Sequence, residues 1–536
     1  MNHWIIAPVV LPALLAPIIA FVMRHDISLA RVASAAGTVA LAAIALGLAV
    51  LAADGGVQVY NLGNWPAPFG IVLVLDRLSA MMVLLTAVLA LLVLWHAIAT
   101  GWDNRGRHFH ALFQFQLMGI CGAFLTGDAF NLFVFFEVLL IASYGLMIHS
   151  GGKVRLQAGL QYVVMNLAGS TLFLFALGTL YATTGTLNIG DLAVKVQAMD
   201  PGETALIRVA AILLLVVFAI KAALFPVHFW LPATYANAPA PVAALFAIMT
   251  KVGAYAILRI HTTVFGPGTG ATEGLVSTWL YPAAIVTIAL GAFGVLGARR
   301  LSSLLAFSVV GSMGTLMVAV AAFTPEATTA ALYYLVHSTF AAAALFLVAD
   351  LVLTRRGSDF LRAEAPTVQN GLFAALFFGG AIAMAGMPPL SGFLGKLLVM
   401  DTLRDPDTIA LTWTAILAGS LLTIVGFARA GSVLFWKSTA QTDTPAPDTA
   451  EAVTEVAGPQ PVGVAEAAPS IMALAILGGL AVFAGPMTRY AEGAAAELFD
   501  ASAYIEAVLA EPEIPPLDEP SADGDTDAAH DAGEEH

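Results

Sequence analysis

The chain has 536 residues, of which 59% are hydrophobic and only 11% charged, with a mean hydropathy of +0.86. Soluble domains carry about 25% charged residues, so this composition points to a polytopic membrane protein and away from a nucleic-acid binder, which needs a basic surface. The single cysteine, Cys121, excludes a disulfide scaffold and a cysteine-held iron–sulfur cluster, and the formal net charge of −14 is local: residues 438–536 hold one basic residue (Arg489) against 19 acidic ones, whereas 1–437 hold 21 against 17.

Fourteen apolar segments follow in chain order, each near the ~20 residues that a bilayer span needs. They lie near 5–23, 30–52, 75–98, 109–126, 129–148, 157–182, 205–225, 240–261, 276–297, 302–322, 328–353, 369–400, 408–436 and 469–489. The first sits where a signal peptide would. No Lys or Arg precedes Arg24, and Pro8, Pro12 and Pro17 interrupt the segment, so it reads as a span. Residues 1–108 form an N-terminal unit of three spans, 438–468 a polar acidic loop, 469–498 the last span, and 499–536 an acidic tail with too little apolar surface to fold. Thirteen Lys/Arg fall in the odd-numbered loops and four in the even-numbered loops and C-terminal end. Odd loops are therefore expected in the cytoplasm and both termini outside.

Some charged residues remain inside the apolar runs. Arg77 and Arg259 lie near span ends, where a long side chain can snorkel to the interface. Asp350 lies at the cytoplasmic end of its span beside Arg355 and Arg356, the setting of a surface ion pair. Lys221, Lys251 and Lys396 are different. Each lies well inside an apolar run, where a charge costs at least about 2.5–3.5 kcal/mol. Glu137, within "NLFVFFEVLLIASYGL", is their acidic counterpart. A carboxylate and an ammonium stabilise each other's charge when close and lose that support when apart, so a Glu–Lys pair can act as a proton switch without a cofactor.

Two spans are broken by proline. In span seven, Pro226 follows Lys221, and the run 205–235 would measure about 46 Å as one helix, longer than the hydrocarbon core. In span twelve, Pro388 and Pro389 precede Lys396, with Gly386, Gly392 and Gly395 around them. Proline frees backbone carbonyls, which membranes tolerate only beside protein or water. Two breaks five spans apart, each beside a lysine, predict inverted five-helix repeats: spans 4–8 (109–261) and 9–13 (276–437). His337 in span eleven offers a near-neutral intermediate between lysines. His228, close to the first break, is a secondary relay candidate. There is no Walker loop, no Gly-rich nucleotide loop and no histidine pair at metal- or haem-ligand spacing, so no cofactor, metal or chemical catalysis is expected.

The segments "GDAFNLFVFFEVLLIASYGLM", "FPVHFWLPATYANAPAPVAALFAIMTKVGAYAILR" and "MAGMPPLSGFLGK" resemble the family of antiporter-like membrane subunits over roughly residues 70–437. This family includes the D subunit of the Mrp (Pha, Mnh) multisubunit cation/proton antiporter and the large proton-pumping subunits of respiratory complex I. The resemblance implies a fourteen-helix fold with two inverted repeats, a Glu137–Lys221 pair, and Lys251, His337 and Lys396 along a hydrated axis. Complex I relatives usually read L-P-x-A-H after the first break. Here Tyr235 stands in the histidine's place, which resembles the Mrp D branch. Many relatives carry a lysine four residues after the span-eleven histidine, a position held here by Ala341.

The expected function is therefore exchange of Na⁺ or another monovalent cation for protons, in a bacterial inner-membrane complex with the A, B, C, E, F and G types of Mrp subunits. The alternative is a proton-pumping subunit of a complex I-like or hydrogenase-type oxidoreductase.

Overall fold

The computed structural model describes residues 3–200, 202, 204–439 and 461–510. Among the described residues the chain is mostly helical, and every expected apolar segment falls on one helix or two. In order these are α1 (Ala7–Phe21), α2 (Ile27–Gly55), α3 (Arg77–Ala99), α4 (Phe109–Leu125), α5 (Ala129–Met147), α6 (Lys153–Thr184), α7 (Ile189–Gln197), α8 (Ala205–Ala222), α9 (Trp230–Asn237) and α10 (Ala240–Thr263). The second half continues with α11 (Leu275–Gly297), α12 (Leu301–Val320), α13 (Pro325–Arg356), α14 (Asn370–Ala385), α15 (Ser391–Thr402), α16 (Ile409–Trp436), α17 (Val464–Val482), α18 (Ala484–Phe499) and α19 (Ser502–Leu509). Among the described residues, eleven of these are long and apolar enough to cross a membrane; α1, α4 and α14 are shorter apolar helices. The chain is a multi-pass membrane protein.

Helix starts follow local chemistry. Asp26, Asp76, Asp128, Asn188 and Thr324 each place a side-chain oxygen on an otherwise unpaired backbone N–H at the head of α2, α3, α5, α7 and α13. The layering is equally ordered. The apolar cores of α10 and α13 are wholly buried, whereas α6, α11, α16 and α17 expose much of their apolar surface. An apolar exterior is what a hydrocarbon solvent demands. The centre of the molecule is therefore the pair α10 and α13, with α3 packed against both.

Both proline breaks are present. α8 ends at Ala222 and the chain stays non-helical until α9. α14 ends at Ala385, followed by Gly386, whose φ of +80° lies in the left-handed region, and α15 begins at Ser391. A Cβ on Gly386 would meet Lys396 Cδ at 2.7 Å, so glycine is needed there twice over. Gly253 serves contact: a Cβ there would lie 2.6 Å from the Ala222 nitrogen, and its absence lets α10 press against the end of α8.

Several features depart from the sequence reading. A short antiparallel hairpin, β1 (Gln58–Asn61) and β2 (Val72–Leu75), and the short helices α7 and α9 occupy stretches read as loop. The last span is two helices that part at Phe483. The acidic loop ends early, because α17 begins at Val464 and its Glu466 pairs with Arg355. The expectation of disorder from residue 499 fails for α19, whose Tyr504 and Val508 are buried, with α7 packed alongside. Two apolar side chains at i and i+4 make one helical stripe that a composition average conceals. The rest of the expected loop (440–460) and tail (511–536) lies outside the described residues.

Candidate functional site

Glu137 lies midway along α5 and accepts a hydrogen bond from Ser170 Oγ on α6. Lys221 lies in the last turn of α8, immediately before the break, and is 6% exposed. Its ammonium donates to Asn166 Oδ1 at 3.0 Å and stands 5.6 Å from the Phe136 ring centre. The two charges feel each other but form no direct ion pair. Asn166 and Ser170 fill the gap, four residues apart on one face of α6. Asn166 is itself held by a 2.8 Å bond from its amide to the Tyr162 carbonyl. Glu137 and Lys221 are thus each held by a separate polar residue of α6.

Lys251 on α10 is fully buried, and the one hydrogen bond of its ammonium is a long one, 3.4 Å to Thr250 Oγ1. His337 on α13 is also fully buried. Its Nδ1 lies 2.9 Å from Ser391 Oγ at the head of α15, and the Ala383 carbonyl lies beside the ring. Both Lys251 and Lys396 lie within electrostatic reach of His337. Lys396 donates to the Ala385 carbonyl at 2.9 Å and to Ser420 Oγ at 2.8 Å. That carbonyl is one of those released where α14 stops, so the second break supplies the lysine's acceptor. At the first break the freed Ile220 carbonyl is taken instead by the Trp230 indole, at 2.9 Å. Beside Lys396 lies a polar cavity of about 20 Å³, lined by Ser308, Thr315, Ser420 and Thr423 among others, which is room for one water.

His228 sits in the first break with its ring against Phe225 and makes no hydrogen bond to any of these five residues. Tyr235 is buried and donates to the Phe246 carbonyl, bracing α9 against α10. Ala341 is buried in the core and brings no polar group to its turn of α13.

Two readings of charged residues are corrected. Asp350 is no surface ion pair: it is buried, 2.8 Å from His96 Nε2 and 2.9 Å from Trp102 Nε1, while Arg355 and Arg356 turn to Glu466 and Glu364. Arg259 does not snorkel; it is buried and pairs with Asp76 at 2.6 Å. Arg77 pairs with Glu497 at 3.3 Å. A side chain near a span end reaches water only when no folded element covers that end; α18 and α19 cover Arg259, and His96 of α3 with Trp102 covers Asp350.

Outside the spans, burial opposes ionisation of Asp103, but hydrogen bonds from His110 and Arg31 outweigh it and hold the carboxyl below its ordinary range. Asp128, between α4 and α5, behaves oppositely. Burial pushes it up to about 6, against two backbone hydrogen bonds that favour the charged form.

Sequence reasoning missed Asn166, Ser170, Ser391 and Ser420. The first two carried a usable signal, being polar residues four apart in an otherwise apolar run.

Residues 126–423 match the family described as NADH:quinone oxidoreductase/Mrp antiporter, transmembrane. The chain belongs to this family. It is 38% identical to the D-type polypeptide of a probable K⁺/H⁺ antiporter of Rhizobium meliloti (strain 1021), over 96% of this chain and 98% of the relative. It is 37% identical to the D-type polypeptide of a Na⁺/H⁺ antiporter of Bacillus subtilis (strain 168), over 95% and 100%. Among solved structures, a chain of the Mrp complex from Dietzia sp. DQ12-45-1b superposes with a TM-score of 0.83 at 30% identity, over 95% of this chain and 100% of that one. The matched span, residues 126–423, includes Glu137, both breaks, Lys221, Lys251, His337 and Lys396.

Proposed function

We propose that this chain is one component of a multisubunit monovalent cation/proton antiporter and carries a proton path. In this reading Glu137 and Lys221 form a switch, Lys251 and His337 relay, and Lys396 is the second gate. The observation that carries it is the set of four basic side chains inside the membrane body, Lys221, Lys251, His337 and Lys396, each at most 9% exposed and none paired with a carboxylate. A buried charge without a counter-charge is costly, and a group that can give up its proton escapes that cost. Motion of α6 relative to α5 and α8 would make or break the contacts that hold Glu137 and Lys221. The antiporter relatives of Rhizobium meliloti and Bacillus subtilis support the cation/proton assignment, and the Mrp complex of Dietzia supports a hetero-oligomer, with partners of the A, B, C, E, F and G types.

The membrane is taken as the bacterial inner membrane. The Lys/Arg-rich loops, including Lys153, Arg155, Arg299, Arg300, Arg355 and Arg356, face the cytoplasm and both termini face outward. The test is cation-dependent ΔpH in everted vesicles carrying the whole complex. Glu137→Ala and Lys221→Ala are each expected to abolish it with the complex still assembled. Normal exchange by assembled variants overturns the assigned roles.

A further inference from the structure

The chain holds a second buried cluster of titratable groups, far along α13 from His337. His96 in the last turn of α3 and Asp350 near the end of α13 are both buried, and His96 Nε2 meets Asp350 Oδ2 at 2.8 Å. The Trp102 indole donates to both carboxylate oxygens at 2.9 Å. The other imidazole nitrogen, His96 Nδ1, is buried without a partner. It is one of several buried histidine nitrogens left open in the fold, His110 Nδ1 among them, and what sets it apart is its place beside a carboxylate that lines a cavity.

Asp350 also forms part of the wall of a cavity of about 700 Å³. Its lining includes Lys153 and Arg155 on one turn, and Arg300 paired with Asp359 at 2.7 Å. Behind the dyad, α3 packs on both α10 and α13, the wholly buried helices that carry Lys251 and His337. The dyad thus has a cavity on one side and the central helices on the other. A purely structural ion pair would need neither the cavity nor the open nitrogen.

We propose that Asp350 and His96 are the proton-exchange point between the cytoplasm and the buried path, with the cavity as its vestibule. A proton arriving at His96 Nδ1 lets the imidazole pass its Nε2 proton to Asp350 Oδ2, which releases it to water in the cavity. The reverse order loads a proton, and no other reactant is needed. The charged and titratable groups around the dyad are Asp103, with its partners Arg31 and His110, next to Trp102; His149, whose Nε2 lies 2.9 Å from the Trp102 carbonyl; Arg105 and Arg155 over the Trp102 ring; and Lys153, Arg300, Asp359 and Tyr235 in the cavity lining.

This inference rests on the proton path proposed above, and the experiment separates the two. Asp350→Asn keeps the shape and an acceptor oxygen for Trp102 and His96 but cannot carry a proton. In everted vesicles with the assembled complex, it is expected to slow cation-dependent ΔpH about tenfold or more, since a positioned acid or base contributes roughly 10²–10⁴-fold. Asp350→Glu should recover part of the rate. Exposed Thr354 lines the same cavity, and Thr354→Cys should react with a membrane-impermeant thiol reagent from the cytoplasmic face, against a native background of one buried thiol, Cys121. Full exchange by Asp350→Asn at every pH, with Glu137→Ala inactive, overturns the exchange point and leaves the antiporter reading standing. Should Asp350→Asn fail to assemble, Thr354→Cys decides, and no labelling from the cytoplasmic face overturns the vestibule.

Discussion

Asn166 and Ser170 stand one turn apart on α6 and serve opposite charges: Asn166 Oδ1 accepts from the Lys221 ammonium, and Ser170 Oγ donates to the Glu137 carboxylate. One helix therefore holds both ends of the candidate switch. Asn166 keeps a buried ammonium satisfied, and Ser170 orients a carboxylate.

Removing Asn166 leaves Lys221 without its one hydrogen-bond acceptor. Asn166→Leu is expected to cost about 1.5–3 kcal/mol, the range for a hydrogen bond to a charged group. It should also depress exchange more than Ser170→Ala does. Thermal unfolding of the purified complex and vesicle ΔpH measure the two effects. Equal behaviour of Asn166→Leu and wild type in both would remove Asn166 from the mechanism.

Gly386 ends α14 in a left-handed conformation and faces the Lys396 side chain. Gly386→Ala adds backbone strain of order 1–3 kcal/mol and pushes the lysine off the Ala385 carbonyl. Exchange should fall, whereas Lys396→Met in the same background should add little further loss. Additive losses would mean that the glycine acts elsewhere.

The buried Asp76–Arg259 pair joins the head of α3 to the far end of α10. Breaking one side strands the other charge, so Arg259→Met alone is expected to destabilise by about 3–5 kcal/mol. The double variant Asp76→Leu/Arg259→Met should recover a large part of that. A double-mutant cycle by denaturation measures the coupling; simple additivity would show that the pair contributes no joint term.

Asp128 is held up to about 6 in the folded chain, above the value of a free aspartate. The folded state then binds more protons than the unfolded one between those two values, so stability falls as pH rises through that window. Asp128→Asn removes this slope, and thermal melts from pH 4 to 7 should show a flatter profile for the variant. An unchanged slope would assign the pH dependence to another group.

Much of the site was legible from residue order, because the signals were local. Lys221, Lys251, Lys396 and Glu137 stand out against apolar neighbours, and Pro226, Pro388 and Pro389 break helices wherever the chain goes next. Asp350 and Arg259 were misread for the opposite reason. Each lies near a span end with water or charge close in sequence, and nothing local shows that a distant helix covers it. Helix α19 was missed because its acidic surroundings dilute the Tyr504 and Val508 stripe that folds it.

The amino-acid order by itself determined the membrane class, the helical segments, the two breaks and which ionisable groups lie between them. Hydropathy, proline sterics and span length act over a few turns of one segment. Only the tertiary structure decided the partners: Lys221 with Asn166, 55 residues away, Asp76 with Arg259, 183 away, and His96 with Asp350, 254 away. Hydrogen bonds and ion pairs depend on which helix faces meet, and that is settled by packing over the whole bundle, not by any single stretch of chain.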